Sequence, residues 1–237
     1  MVGSGAAGFT QPGSWPQHRI APPLRLWSGR LQRTRAAHVG APHSVTVKRA
    51  LDLLVATVAL VILVIPIAVI ALAVRMVLGS PVLFRHTRPG LHGEPFELLK
   101  FRTMRTGAGT DVERLTRFGR LLRSTSVDEL PELWNVIRGD MSIVGPRPLL
   151  MEYLALYSPR QARRHEVLPG LTGLAQVEGR NLVGWDERLE LDVRYVETRS
   201  LALDLQIIRR TIGIVLRREG ISGEGEATMA PFEGTGS

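Results

Sequence analysis

From Leu53 to Val74 the chain runs 22 residues without a charge, in "LLVATVALVILVIPIAVIALAV". As a helix this run would be about 33 Å long at ~1.5 Å per residue, close to the ~30 Å hydrocarbon core of a bilayer. A soluble helix this apolar needs apolar partners on every side. A cleavable signal peptide has a shorter apolar stretch followed by a small-residue cleavage site. The segment is therefore read as entering a membrane. Pro66 stands in its middle, where it removes a backbone hydrogen bond and collides with the preceding turn, so a sharp bend is expected. Lys48 and Arg49 precede the run, and Arg75, Arg85 and Arg88 follow it. Positive charge on both flanks assigns both ends to the cytoplasm. Two arrangements fit: a helix that breaks at Pro66 and returns to the face it entered, and a kinked spanning helix, since proline is common in such helices.

The chain has 237 residues and 44% apolar content, enough for one substantial domain. It has no cysteine, which excludes disulfides, thiolate catalysis and cysteine-bound metal. The formal charge of +8 suggests an anionic partner. Five arginines and no acid fall in residues 1–44, however, so the remainder carries only a small excess. That leader, rich in Gly and Pro without apolar periodicity, reads as disordered, with a basic membrane-surface arm as the alternative. Residues 45–78 form the membrane segment and 79–219 a globular domain. The domain begins with β-type runs, "PVLFRHTR" and "PFELLKFRTM", and continues in mostly helical patterns. Residues 220–237 are Gly-rich and read as a loose tail. Arg114, Arg117, Arg120 and Arg123 alternate with Leu115, Phe118 and Leu122 at helical spacing. That pattern is a basic amphipathic helix, either simply solvated or suited to an anionic lipid surface.

Chemistry concentrates in "RSTSVDELPELWNVIRGDMSIVGPRP", residues 123–148. Ser126 followed by Glu129 fits a capping box, and Asp128 before Pro131 fits a helix start, so capping alone could explain the acids. Their surroundings suggest more. A carboxylate at a helix N-terminus is held ionised, and an anionic substrate can bind at the same end. Arg123 and Arg147 bracket the pair and suit bidentate phosphate recognition. Pro146 and Pro148 fix the backbone around Arg147, while Gly145 permits close approach. Asp and Glu oxygens are what Mg²⁺ prefers, in company with substrate phosphates. Together these residues point to phosphoryl transfer.

"KRALD", "KFRTM", "RSTSVDELPELWNVIRGDMSIVGPRPLLMEYL", "LPGLTGLAQVEGRN", "WDERLELDVRYVE" and "DLQIIRRT" follow in this order. From about Lys48 to Gly234 the chain thereby resembles the bacterial sugar transferases, the monotopic polyprenyl-phosphate phosphoglycosyltransferases. The resemblance implies a predominantly α fold with minor β (α+β), in which a re-entrant helix broken at Pro66 packs on a small catalytic domain. It implies residence at the bacterial inner membrane with that domain on the cytoplasmic side. It implies transfer of a sugar 1-phosphate from a UDP-sugar to undecaprenyl phosphate, releasing UMP and starting a surface glycan. On that basis Asp128 is the nucleophile, and Glu129 assists with Mg²⁺, which both acids would hold, or with the lipid phosphate. Arg123, Arg147 and the Gly145–Pro148 unit would bind phosphate. Residues around Gly170, Thr172, Gly173, Gln176 and Arg180 would shape the nucleotide-sugar side. Lys48, Arg49 and Pro66 would meet lipid.

Two positions depart from the family's pattern: Ile65 stands where many relatives have serine before the proline, and Glu178 where asparagine is common. His86, His92 and His165 have no metal-ligand spacing and read as loop or surface residues. Trp134 and Trp185 read as packing or interfacial anchors. A membrane-anchored nucleic-acid binder lacks a helix-turn-helix or aromatic-interleaved basic patch. A non-catalytic scaffold would not need the acidic pair. A homo-oligomer is compatible with the sequence, and the sugar is not legible in it.

Overall fold

The computed structural model describes residues 42–178, 184–217 and 231–234. The leader up to residue 41 and Arg180 lie outside the described residues. The fold is mostly helical with two small sheets. Helix α1 (Pro42–Leu78) is the element long and apolar enough to cross a membrane. The expected break at Pro66 is corrected here: Pro66 lies inside one continuous helical run. A single missing hydrogen bond does not melt a helix that is packed on both sides of the gap. Before Pro66, Ala56, Ala59, Leu60 and Leu63 join the main core with Leu133, Val136, Met141, Tyr195 and Ile207. After it, Ile67, Ile70, Ala71 and Val74 join a second core with Phe101, Phe118, Leu122 and Leu130.

Polar contacts fasten both ends of α1. Arg49 donates to the carbonyls of Val136 (2.8 Å) and Ile137 (3.0 Å). These belong to the C-terminal turn of α4 (Glu132–Arg138), the negative end of that helix. Lys48 pairs with Asp204 at 2.7 Å. Asp52 accepts from the Ser142 hydroxyl (2.8 Å) and the Ile143 amide (3.2 Å). Lys48 and Arg49, expected at the lipid surface, are therefore partnered within the protein. At the other end Arg102 donates to the carbonyls of Leu78 (2.5 Å) and Gly79 (2.7 Å). Between these anchors α1 leaves Val61, Ile62, Ile65, Leu72 and Met76 exposed.

Strands β1 (Leu83–Pro89) and β2 (Pro95–Phe101) form the antiparallel hairpin read from the sequence. The expected basic helix is interrupted at Leu115. Arg114 ends α2 (Asp111–Arg114), and Thr116 caps α3 (Arg117–Ser124) by accepting from the Gly119 amide. A side chain at Gly119 would strike the Thr103 carbonyl, so glycine there lets α3 lie against the end of β2 and brings Arg123 beside Thr103. Strands β3 (Ser142–Val144) and β4 (Gly170–Thr172) pair in parallel, a contact that three-residue apolar runs do not announce. Between them come the short helix α5 (Pro159–Ala162) and two 3₁₀ turns. Helices α6 (Leu174–Glu178), α7 (Trp185–Thr198) and α8 (Leu201–Arg217) complete the domain. Helix α8 exposes Leu205, Ile212, Val215 and Leu216.

The tail is not loose throughout. Phe232 is 3% exposed, packed among Tyr153, Tyr157 and Trp185, and its amide donates to the Tyr153 hydroxyl at 3.1 Å. Trp185 is thus a packing residue, as read. His165 departs from its surface reading: it is buried, and its Nδ1 lies 3.3 Å from the Gly90 carbonyl.

Candidate active site

Three pieces of backbone converge on one cleft: the end of β2, the 3₁₀ turn Val127–Glu129, and the loop after β3. The turn starts from Ser126 in the left-handed region (φ 56°), and Ser126 makes no capping hydrogen bond. The capping box expected between Ser126 and Glu129 therefore does not form. Helix α4 starts only at Glu132, with Pro131 as its cap residue. The two adjacent acids are then divided in orientation. Glu129 accepts from Lys100 at 2.6 Å and from Arg147. Asp128, 7% exposed, lines the cleft, and among the described residues no hydrogen bond or ion pair reaches its carboxylate.

Electrostatics separates them further. Burial raises the Asp128 pKa and the charge of Glu129 adds to this, while Lys100, Arg123 and Arg147 pull the other way. Burial acts in the same direction on Glu129, but Arg147 and Lys100 outweigh it and hold the group at about 2. A third acid, Glu132, is pushed up to about 7 by burial and then by Glu129. Its carboxylate lies 3.1 Å from the same Lys100. Lys100 thus bridges two carboxylates whose pKa values are driven in opposite directions.

Arg147 is placed by its backbone. The Gly145 amide donates to the Thr172 carbonyl (2.9 Å), and the Pro146 carbonyl accepts from Gly170 (3.0 Å). A Cβ at Gly145 would fall 2.4 Å from the Leu168 carbonyl, so only glycine permits this approach. From beneath, Arg164 donates to the Arg147 carbonyl at 2.6 Å. Arg164 is 2% exposed and holds Asp192 through Nε (3.0 Å) and Nη2 (2.7 Å). Glu129 above all raises the Arg147 pKa, against its burial. Arg123 is held by Thr103, to whose hydroxyl its Nε donates at 3.0 Å.

The cleft has a volume of about 1220 Å³ and two characters. Arg88, Lys100, Arg123, Asp128, Glu129 and Arg147 line it on one side. Leu63, Pro66 and Ile70 of α1, with Ile208, Ile212 and Val215 of α8, line it on the other. Pro66 thus belongs to the site's apolar wall. Gln176 also lines the cleft and donates to the Leu171 carbonyl at 3.2 Å. Lys100, Glu132, Arg88 and the Arg164–Asp192 pair were not selected from the sequence. Strand alternation could have flagged Lys100 and Arg88, since Phe84, His86 and Arg88 share one face of β1, with Lys100 opposite Phe84.

Among the described residues no cluster of three His, Asp or Glu side chains could hold a metal ion. Asp128 alone fits a cation that brings its other ligands from phosphate and water, as Mg²⁺ does. Glu129 could serve as a ligand only by releasing Lys100 and Arg147.

The family model described as bacterial sugar transferase matches residues 43–218. The chain belongs to the bacterial sugar transferase family. It is a transferase, and the scaffold and nucleic-acid readings fall away. An uncharacterized sugar transferase, EpsL, of Bacillus subtilis is 54% identical over 169 residues, covering 69% of this chain and 84% of that protein. A UDP-glucose:undecaprenyl-phosphate glucose-1-phosphate transferase of Caulobacter vibrioides is 44% identical over 187 residues, 71% of this chain and 69% of the relative. The exopolysaccharide production protein ExoY of Rhizobium meliloti is 37% identical over 196 residues, 73% of this chain and 87% of its own length. The bacterial sugar transferase match takes in α1 from its second residue onward, together with all the cleft residues named above.

Proposed function

We propose that the protein transfers a sugar 1-phosphate from a UDP-sugar to undecaprenyl phosphate in two displacements through Asp128. The observation that carries this reading is an unpaired, buried carboxylate in a cleft lined by cations on one side and membrane-helix residues on the other. A carboxylate oxygen of Asp128 attacks the β-phosphorus. The bond to the bridging oxygen breaks, its electron pair leaves with UMP, and an aspartyl-phosphosugar remains. A phosphate oxygen of the lipid then attacks the same phosphorus and frees Asp128. The two charge balances are equal, because each step exchanges one oxyanion for another.

Arg123 and Arg147 bind the phosphoryl oxygens, and Glu129 keeps Lys100 and Arg147 oriented toward them. Lys100, Arg123 and Arg147 favour the ionised form of Asp128 against its burial. Asp128 would hold Mg²⁺, which would supply neutralisation of the diphosphate charge. The apolar wall takes the first isoprene units of the acceptor. Relatives bearing glucose-1-phosphate and exopolysaccharide names support sugar-phosphate transfer as the reaction class.

The membrane reading is monotopic: α1, unbroken at Pro66, keeps both of its ends on the cytoplasmic side of the inner membrane. It is supported by the anchoring of both ends of α1 to one domain, Lys48 and Asp52 at one end and Leu78 at the other. A straight spanning helix would carry these ends to opposite faces. Because the chain has no cysteine, Thr46→Cys and Ser80→Cys give single labelling sites. In sealed vesicles of known orientation an impermeant maleimide should label both from the cytoplasmic side. Labelling from opposite sides would reject the monotopic arrangement.

The activity itself is tested by incubating membranes that contain the protein with undecaprenyl phosphate and a panel of UDP-sugars. UMP release from at least one donor, dependent on the lipid for continued turnover, is expected. No UMP from any donor would overturn the assignment.

A further inference from the structure

We propose that Arg88 receives the phosphate of the departing nucleotide. This rests on the reaction assigned above and names a residue it has not used. Among the cations of the inner cleft, Lys100 and Arg147 share Glu129. Arg123 is held by Thr103, and Arg102 by the end of α1. Arg88 has no hydrogen-bond or ion-pair partner among the described residues, and its Nε is buried. Burial and then Arg147 depress its pKa, with a weaker opposing pull from Glu132, Tyr153 and Glu152. A half-buried guanidinium beside a second one is costly unless an anion completes the pair.

The positions of these charges indicate which anion. Lys100, which holds Glu129, is the register partner of Phe84, and Arg88 lies ~13 Å further along β1 at ~3.3 Å per residue. Arg88 feels Arg147 and lies near Glu152 and Tyr153. Arg88 is therefore set away from the turn that carries the nucleophile, toward Arg147. Phosphoryl displacement runs in line, so the leaving oxygen departs on the side opposite the attacking carboxylate. As the bridging P–O bond breaks, its electron pair accumulates on the α-phosphate, and Arg88 is the unpaired cation on that side. The lipid oxygen of the second displacement enters by the same apical side, so Arg88 faces the acceptor phosphate in its turn.

The test uses the full chain in lipid nanodiscs, with Arg88→Gln, Arg88→Lys and, as control, Arg85→Gln, an exposed residue paired with Glu97. UMP affinity is measured by calorimetry, and donor and acceptor kinetics are measured separately. Arg88→Gln should lower kcat/KM for the UDP-sugar about 100-fold, the usual loss on removing one donor to developing charge. It should weaken UMP binding at least about 10-fold. Arg88→Lys, which keeps the charge and loses the fork, should lie between, and it retains a readout if the glutamine variant unfolds. Unchanged UMP affinity in a folded variant overturns the proposal, as does a loss confined to the acceptor. Absence of UMP release by the wild-type protein with every UDP-sugar would instead overturn the reaction itself, and this assignment with it.

Discussion

Asp128→Asn should stop UMP release, by at least about 10³-fold, because an amide supplies no nucleophilic charge and the displacement has no second route. The substitution keeps size and shape, and no hydrogen bond or ion pair is lost with the carboxylate charge. Thermal stability should therefore hold or rise slightly, since burial penalises the charged form of Asp128 above all. Membrane association through α1 should also persist. The informative measurement is a single-turnover assay with radiolabelled donor. Wild-type protein should retain label through precipitation, and Asp128→Asn should not. Retained turnover in the variant would remove Asp128 from the chemistry, leaving Glu129 and Glu132, the two carboxylates that Lys100 holds.

A second large effect is expected far from the chemistry. Asp192→Ala strands Arg164 without its carboxylate in the interior, a change that costs roughly 3–5 kcal/mol for a buried pair. For a chain of this size that lowers the melting temperature by on the order of 10 °C. Asp192→Asn keeps an acceptor and should be milder. The readout beyond stability is donor binding: Arg164 also fastens the Arg147 carbonyl, so a relaxed Arg164 loosens the phosphate-binding loop. At a temperature where Asp192→Asn remains folded, KM for the UDP-sugar should rise several-fold. An unchanged KM would reduce the pair to a stabilising role.

Much of this architecture is legible in the residues. The apolar run, the β1–β2 hairpin and the helical remainder follow from period and punctuation. The nearness of Asp128, Glu129, Arg123 and Arg147 follows from one short motif and the resemblance it carries. What was not legible depends on long-range packing. Ser126 and Glu129 have the residue types of a capping box, yet Lys100 and Arg147 offer Glu129 full charges, and these outcompete a backbone amide. Lys48 and Arg49 look like lipid anchors until α4 ends with its carbonyls facing them. Pro66 reads as a break because proline rules are local, whereas the two cores that grip α1 lie in distant sequence. Phe232 looks like part of a loose tail because nothing nearby indicates the aromatic cluster that receives it.

The fastening of α1 has a practical consequence for anyone seeking a water-soluble version. Ala56 and Val74, both fully buried, belong to different cores, and Asp52 satisfies the start of β3. Cutting the chain after Leu78 would remove a wall of the enzyme along with its anchor. Activity and bilayer residence are built as one object, so solubility must come from a detergent or lipid disc around the intact protein.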